Sequence, residues 1–201
     1  MERFVNRTNF TLLLIALFAF DNVLAHTGEA GANGFLAGVM HPISGFDHLL
    51  AMVSIGIWGA TLGRPLIWVL PVAFPMMMVV GGVLGIAGVP LLYIEPGIAM
   101  SVVVLGLAIA TAWRAPIAVA VAIVAAFGIF HGYAHGAELP SSASPAEFVA
   151  GFVLCTGTLH IAGIGLGFFN KFALGQRALR GVGALIAASG VWIFFGMPGL
   201  A

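Results

Sequence analysis

Apolar runs about twenty residues long, joined by short connections, leave few folds open to this chain. Six such runs stand at residues 35–62, 65–87, 96–113, 116–137, 146–169 and 178–196. As a helix, a run of this length matches the hydrocarbon core of a bilayer, whereas a membrane strand would show ten-residue alternation instead. Inside lipid every backbone N–H and C=O must be satisfied within the protein, which leaves helices or a closed barrel. With 61% hydrophobic residues, 7% charged residues and a mean hydropathy of +1.13, a soluble domain of 201 residues could not hide so much apolar surface. The expected class is an all-α integral membrane protein. Six transmembrane helices form one domain over residues 26–201, with no linker.

The start of the chain reads as a cleavable secretory signal over residues 1–25. Arg3 and Arg7 supply the charged region, and residues 12–20 an apolar stretch too short to span. Val23 and Ala25 fit the small-residue cleavage pattern, which makes His26 the first mature residue. The remaining basic residues set the orientation. Arg64, Arg114, Lys171, Arg177 and Arg180 all fall in or beside alternate loops, and the opposite loops carry only Glu95, Glu138 and Glu147. The positive-inside rule assigns the basic side to the cytoplasm of a bacterial inner membrane. The mature N-terminus is then periplasmic.

Other classes are excluded or left without support. A formal net charge of zero argues against a nucleic-acid partner. One cysteine, Cys155, rules out an internal disulfide and a CxxC knuckle. No GxxxxGK[ST] motif is present, so no ATPase motif lies in this chain.

Ionisable residues inside such segments cost about 2.5–3.5 kcal/mol each on insertion scales and mark function by default. The first cluster is HPISGFDHLLAM, residues 41–52, with His41, Asp47 and His48. Residues 35–62 would measure about 42 Å as one straight helix against a core of about 30 Å. A break near Pro42 is therefore expected, with a short re-entrant or interfacial helix before it and His41 at the cap of the true span. That break can fold His41 back over His48, which on a straight helix would lie about 10 Å away. Asp47 and His48 are about 100° apart, so one can coordinate while the other supports it. Met52, one turn on, offers a thioether or simply packs.

The second cluster is FHGYAHGAE, residues 130–138. His131, His135 and Glu138 fall on one helical stripe about 60° wide, and two histidines at i, i+4 can chelate one ion. Gly128, Gly132 and Gly136 form a close-packing ridge beside that stripe, expected to draw it towards the first or fifth segment. Both clusters fall at the outer ends of their segments. His160, amid Thr156, Gly157 and Thr158, is either a buried, hydrogen-bonded histidine or a deeper stop on an ion path. Glu95 either caps the third segment or serves as an outer acidic residue. Pro71 and Pro75 are expected to kink the second segment, and Cys155, Met76, Met77 and Met78 to pack. His26, if exposed by cleavage, pairs an α-amine with an imidazole and would bind Ni²⁺ or Cu²⁺.

These two motifs resemble those of the HupE/UreJ family of hydrogenase and urease accessory membrane proteins. The family patterns HPxxGxDHxxxM and FHGxAHGxE are matched in full, and the resemblance runs the length of the chain. It implies uptake of nickel, or cobalt, ions through the inner membrane for metalloenzyme maturation. It places the functional residues on His41, Asp47, His48, His131, His135 and Glu138. The expected partners are a divalent metal ion and membrane lipid; homo-oligomerisation stays open. An intramembrane metal-dependent hydrolase is the enzyme alternative, since His-rich sites with an open position activate water. A serine hydrolase lacks its GxSxG, and a haem-binding subunit would need axial histidines on facing helices.

Overall fold

A computed structural model describes residues 34–137 and 145–196 of the chain. The expected signal segment 1–25, His26 and Glu138 lie outside the described residues. The described residues form helices only: α1 (Gly34–Ser44), α2 (Phe46–Leu62), α3 (Leu66–Ile86), α4 (Ile94–Ala110), α5 (Ile117–Ala137), α6 (Pro145–Gly167) and α7 (Ala173–Gly196), with a 3₁₀ turn at Phe168–Lys171 before α7.

Every expected apolar segment is helical, but not every helix has the length of a span. Four are long and apolar enough: α3, α5, α6 with its 3₁₀ extension, and α7. The pair α1–α2 makes a fifth if its two halves, bent by 80°, count as one broken span. Helix α4 has only 17 residues, about 25 Å of rise. Its limits are set by backbone turns that hydropathy cannot register: Tyr93 before it and Ala112 after it both adopt left-handed φ, 59° and 52°. Glu95 consequently sits within the first turn of α4 rather than at its cap, which is Tyr93. A carboxylate there still meets the positive end of the helix dipole.

The break in the first segment falls at Gly45, three residues beyond Pro42. Pro42 lies inside α1, so His41 occupies the last turn of α1 and is not a cap. Proline removes one helical hydrogen bond, but the chain turns only where Gly45 leaves helical dihedrals for extended ones (φ −82°, ψ 107°). Helix α3, by contrast, runs without interruption over Pro71 and Pro75.

Helix packing pairs α3 with α5, α4 with α7, and α6 with both α1 and α2. Helix α2 also touches α3 and α4, and its Ala51, Met52, Ile55 and Trp58 are fully buried in the core with Leu70, Phe74, Val102 and Leu105. Met52 thus packs. Met78 is buried as well, whereas Met76 lies on the outward apolar stripe of α3 with Trp68, Val72, Val79 and Val83.

Between apolar helices, close backbone approach replaces the hydrophobic drive of water. The ridge Gly128–Gly132–Gly136 provides that approach with α3, the second segment, while the histidine stripe beside it faces the first and fifth segments as expected. A Cβ on Gly132 would collide with the Met78 carbonyl, and one on Gly136 with that of Gly82. The reason is reciprocal: Gly81 and Gly85 on α3 admit the backbone of Ile129 and Tyr133 in the same way. His131 and His135, one position before each ridge glycine, are thereby turned about 100° away from α3's contact line into the interior.

Candidate metal centre

The bend at Gly45 and the α3–α5 glycine contact bring four histidines into one cluster. His41 comes from α1, His48 from the first turn of α2, and His131 and His135 from the end of α5. The ring of His48 lies 4.7 Å from that of His131 and 4.6 Å from that of His135. His41 lies 4.6 Å from His135 and 6.4 Å from His48. A straight first segment could not have made these contacts.

Hydrogen bonds then decide which ring nitrogens are free. Asp47 Oδ1 accepts from the backbone N–H of His48 and from its ring Nδ1–H, both at 2.8 Å. A carboxylate oxygen offers only lone pairs here, so a proton is on Nδ1, and in the neutral ring Nε2 of His48 is an acceptor. His131 Nδ1 donates to the Phe127 carbonyl one turn back, at 2.9 Å, which fixes the same tautomer. His135 Nδ1 and His41 Nε2 share a hydrogen bond of 2.9 Å. The Nε2 atoms of His48, His131 and His135 are all buried and have no hydrogen-bond partner among the described residues. Metal-binding histidines are typically held this way, with the second ring nitrogen donating to a carboxylate or carbonyl.

The rings pack edge to face rather than around a point. Among the described residues no group of three or more His, Cys, Asp or Glu already stands in ion-holding geometry. Tetrahedral bonds of about 2.0–2.1 Å put donor nitrogens about 3.4 Å apart, so holding an ion requires the rings to turn about their side-chain torsions. The His41–His135 hydrogen bond would open in the same motion.

Aromatic side chains wall the cluster. Phe152 lies 4.8 Å from His135 and Phe148 5.6 Å from His41. Phe74, fully buried, contacts His131 at 5.3 Å on one side and His160 at 5.9 Å on the other. None of the three stood out in the sequence. Phe148, Phe152, Thr156 and His160 do recur every four residues on α6, a signal that one face of that helix lines a single path. His160 itself is 2% exposed, and its Nε2 has no partner among the described residues, so the hydrogen bond expected of a structural histidine is not made by them at that atom. The hydroxyl of Thr156, one turn nearer the cluster, is also buried and unpartnered.

The sequence is similar to known proteins along almost its whole length. The family described as HupE / UreJ protein matches residues 13–193. Protein HupE of Rhizobium leguminosarum bv. viciae is 41% identical over 189 residues, covering 94% of this chain and 98% of that protein. No solved structure matches. On the extent of both matches, the chain belongs to the HupE/UreJ family.

Proposed function

We propose that this protein carries divalent transition-metal ions, nickel or cobalt, inward across the bacterial inner membrane to supply hydrogenase or urease maturation. The observation that carries the reading is the set of three buried Nε2 atoms, on His48, His131 and His135, with no partner among the described residues. Leaving buried polar atoms unpaired costs about 1–3 kcal/mol each. Three in one place, two with the tautomer fixed for acceptance, suit a cation that arrives and leaves. Asp47 supports His48 and holds negative charge at the site, while His41 serves as the mobile fourth imidazole.

In this account the chain crosses the membrane six times, the short α4 included, with residues 1–25 removed and the mature N-terminus periplasmic. The histidine cluster then faces the periplasm. A hydrated cation is drawn to Glu138 and the other outer carboxylates, exchanges water for imidazole, and passes Phe74 towards His160. His26 would add a ligand at the mouth. Imidazole suits Ni²⁺, Co²⁺ and Zn²⁺ alike, and intrinsic affinity favours Cu²⁺, so nickel preference rests on the family resemblance. The test is ⁶³Ni uptake into cells expressing the chain, with Co²⁺ and Zn²⁺ as competitors. Saturable uptake reduced by Co²⁺ is expected. Background uptake with folded, membrane-inserted protein would overturn the proposal.

A further inference from the structure

At the other end of α2 from the histidines lies a cavity of about 340 Å³, between the end of α4, the 3₁₀ turn and the start of α7. Its lining includes the exposed residues Arg114, Arg177 and Arg180, together with Asn170 and Gln176. Among the described residues no carboxylate lines it. The described acidic residues Asp47, Glu95 and Glu147 are in the first turns of α2, α4 and α6, at the opposite ends of those helices. Orientation in the membrane requires basic residues on this side, but not that three of them converge on one concavity. Like charges gathered without a counter-charge repel one another, and an anion removes that cost.

The cavity is a built one. Arg180 Nε donates to the Ala110 carbonyl at the end of α4, at 2.9 Å, which fixes its fork. Gln176 Nε2 donates to the Asn170 carbonyl at 2.9 Å. Trp113 forms a wall, stacked on Trp58 at 5.8 Å, with the Trp58 indole N–H donating to its carbonyl. Just outside, Phe169, Phe172 and Leu174 are more than half exposed. Trp113 is itself partly exposed, and an amphipathic Trp ring of this kind sits at the headgroup level of a bilayer. Planar guanidinium forks match phosphate oxygens two at a time.

We infer that this cavity binds the phosphate of an anion through Arg114, Arg177 and Arg180, and the aromatic rim points to an anionic phospholipid headgroup of the adjacent leaflet as its source. The assignment is independent of metal transport. Basic pockets between helices on the cytoplasmic side are a known mode of anionic lipid recognition.

The test is native mass spectrometry of the full chain in detergent with dioleoyl phosphatidylglycerol or dioleoyl phosphatidylcholine, with calorimetric titration of inorganic phosphate as a separate arm. Retention of phosphatidylglycerol about tenfold above phosphatidylcholine is expected, and the variant R114Q/R177Q should lose that preference. Arg180 is left in place because it caps α4. The control R64Q/K171Q removes two charges from the same side outside the cavity and should keep the preference. Saturable inorganic phosphate binding that R114Q/R177Q abolishes would support the site with a soluble source. Equal loss in both double variants, or no preference and no phosphate binding in the unaltered chain, would overturn it.

Discussion

Asp47 holds His48 by two hydrogen bonds to one carboxylate oxygen, from the backbone N–H and from the ring Nδ1–H, each 2.8 Å long. The pair sits at the first turn of α2, just past the bend at Gly45. Adjacent residues on a helix diverge by about 100°, so Asp47 does not compete with His48 for the interior; it orients the ring from the side. The carboxylate also makes the imidazole a better donor to a cation. Asp47→Asn keeps the shape but weakens that polarisation, and Asp47→Ala removes it. Supporting carboxylates of this kind contribute about 10–100-fold to metal affinity. Nickel affinity measured by calorimetry should fall by about tenfold in the first variant and nearer a hundredfold in the second. Unchanged affinity in both would remove Asp47 from the site.

Acid should oppose the ion. Only neutral imidazole coordinates, so each histidine that takes up a proton is lost as a ligand. Nickel binding should therefore weaken, never strengthen, as the solution is made more acid. Affinity measured over a series of falling pH, as far as the protein stays folded, gives the sign directly. Binding that strengthens in acid would contradict a histidine site.

The glycine ridge gives a prediction about stability. A methyl group at position 132 meets the Met78 carbonyl and cannot be accommodated without moving α5 from α3. Gly132→Ala should cost about 1–3 kcal/mol, the usual penalty for overpacking a tight contact. Gly157→Ala is the control: nothing lies within 4 Å of its added carbon, and helix propensity favours alanine. Thermal unfolding in detergent should lower the midpoint for the first and not for the second. Because the ridge sets the direction of His131 and His135, nickel affinity should fall with Gly132→Ala as well.

His160 separates binding from passage. It lies beyond Phe74 from the cluster and has a buried nitrogen unpartnered among the described residues. His160→Ala should leave calorimetric nickel affinity within about twofold while slowing ⁶³Ni uptake about tenfold or more, as expected of a buried ionisable group on an ion path. Uptake at the original rate would assign His160 to packing.

Much of this arrangement could be read from residue spacing. The i, i+4 pair His131 and His135 had to share a stripe, and a first segment of 35–62 was too long to run straight. Both are local consequences of helix geometry. The exact break was not legible, because Pro42 is the stronger helix breaker on paper and Gly45 is where the chain turns. The partner of the Gly128–Gly136 ridge was not legible either. Gly81 and Gly85 offered the matching row, but a small-residue row does not name the helix it will meet. Phe74 reaches the cluster through that same contact, so nothing local could have marked it. Helix α4 starts two residues before the expected run 96–113 and ends three before its close, ahead of the left-handed turn at Ala112, which apolar composition does not register.

The central claim is that imidazoles from α2 and α5 close around one divalent ion. X-ray absorption at the nickel edge of the purified, nickel-loaded protein reads this directly. The account predicts outer-shell scattering from at least two imidazole rings, lost when His131 and His135 are both changed to alanine. A spectrum with oxygen neighbours only, or one unaffected by that double change, would contradict it.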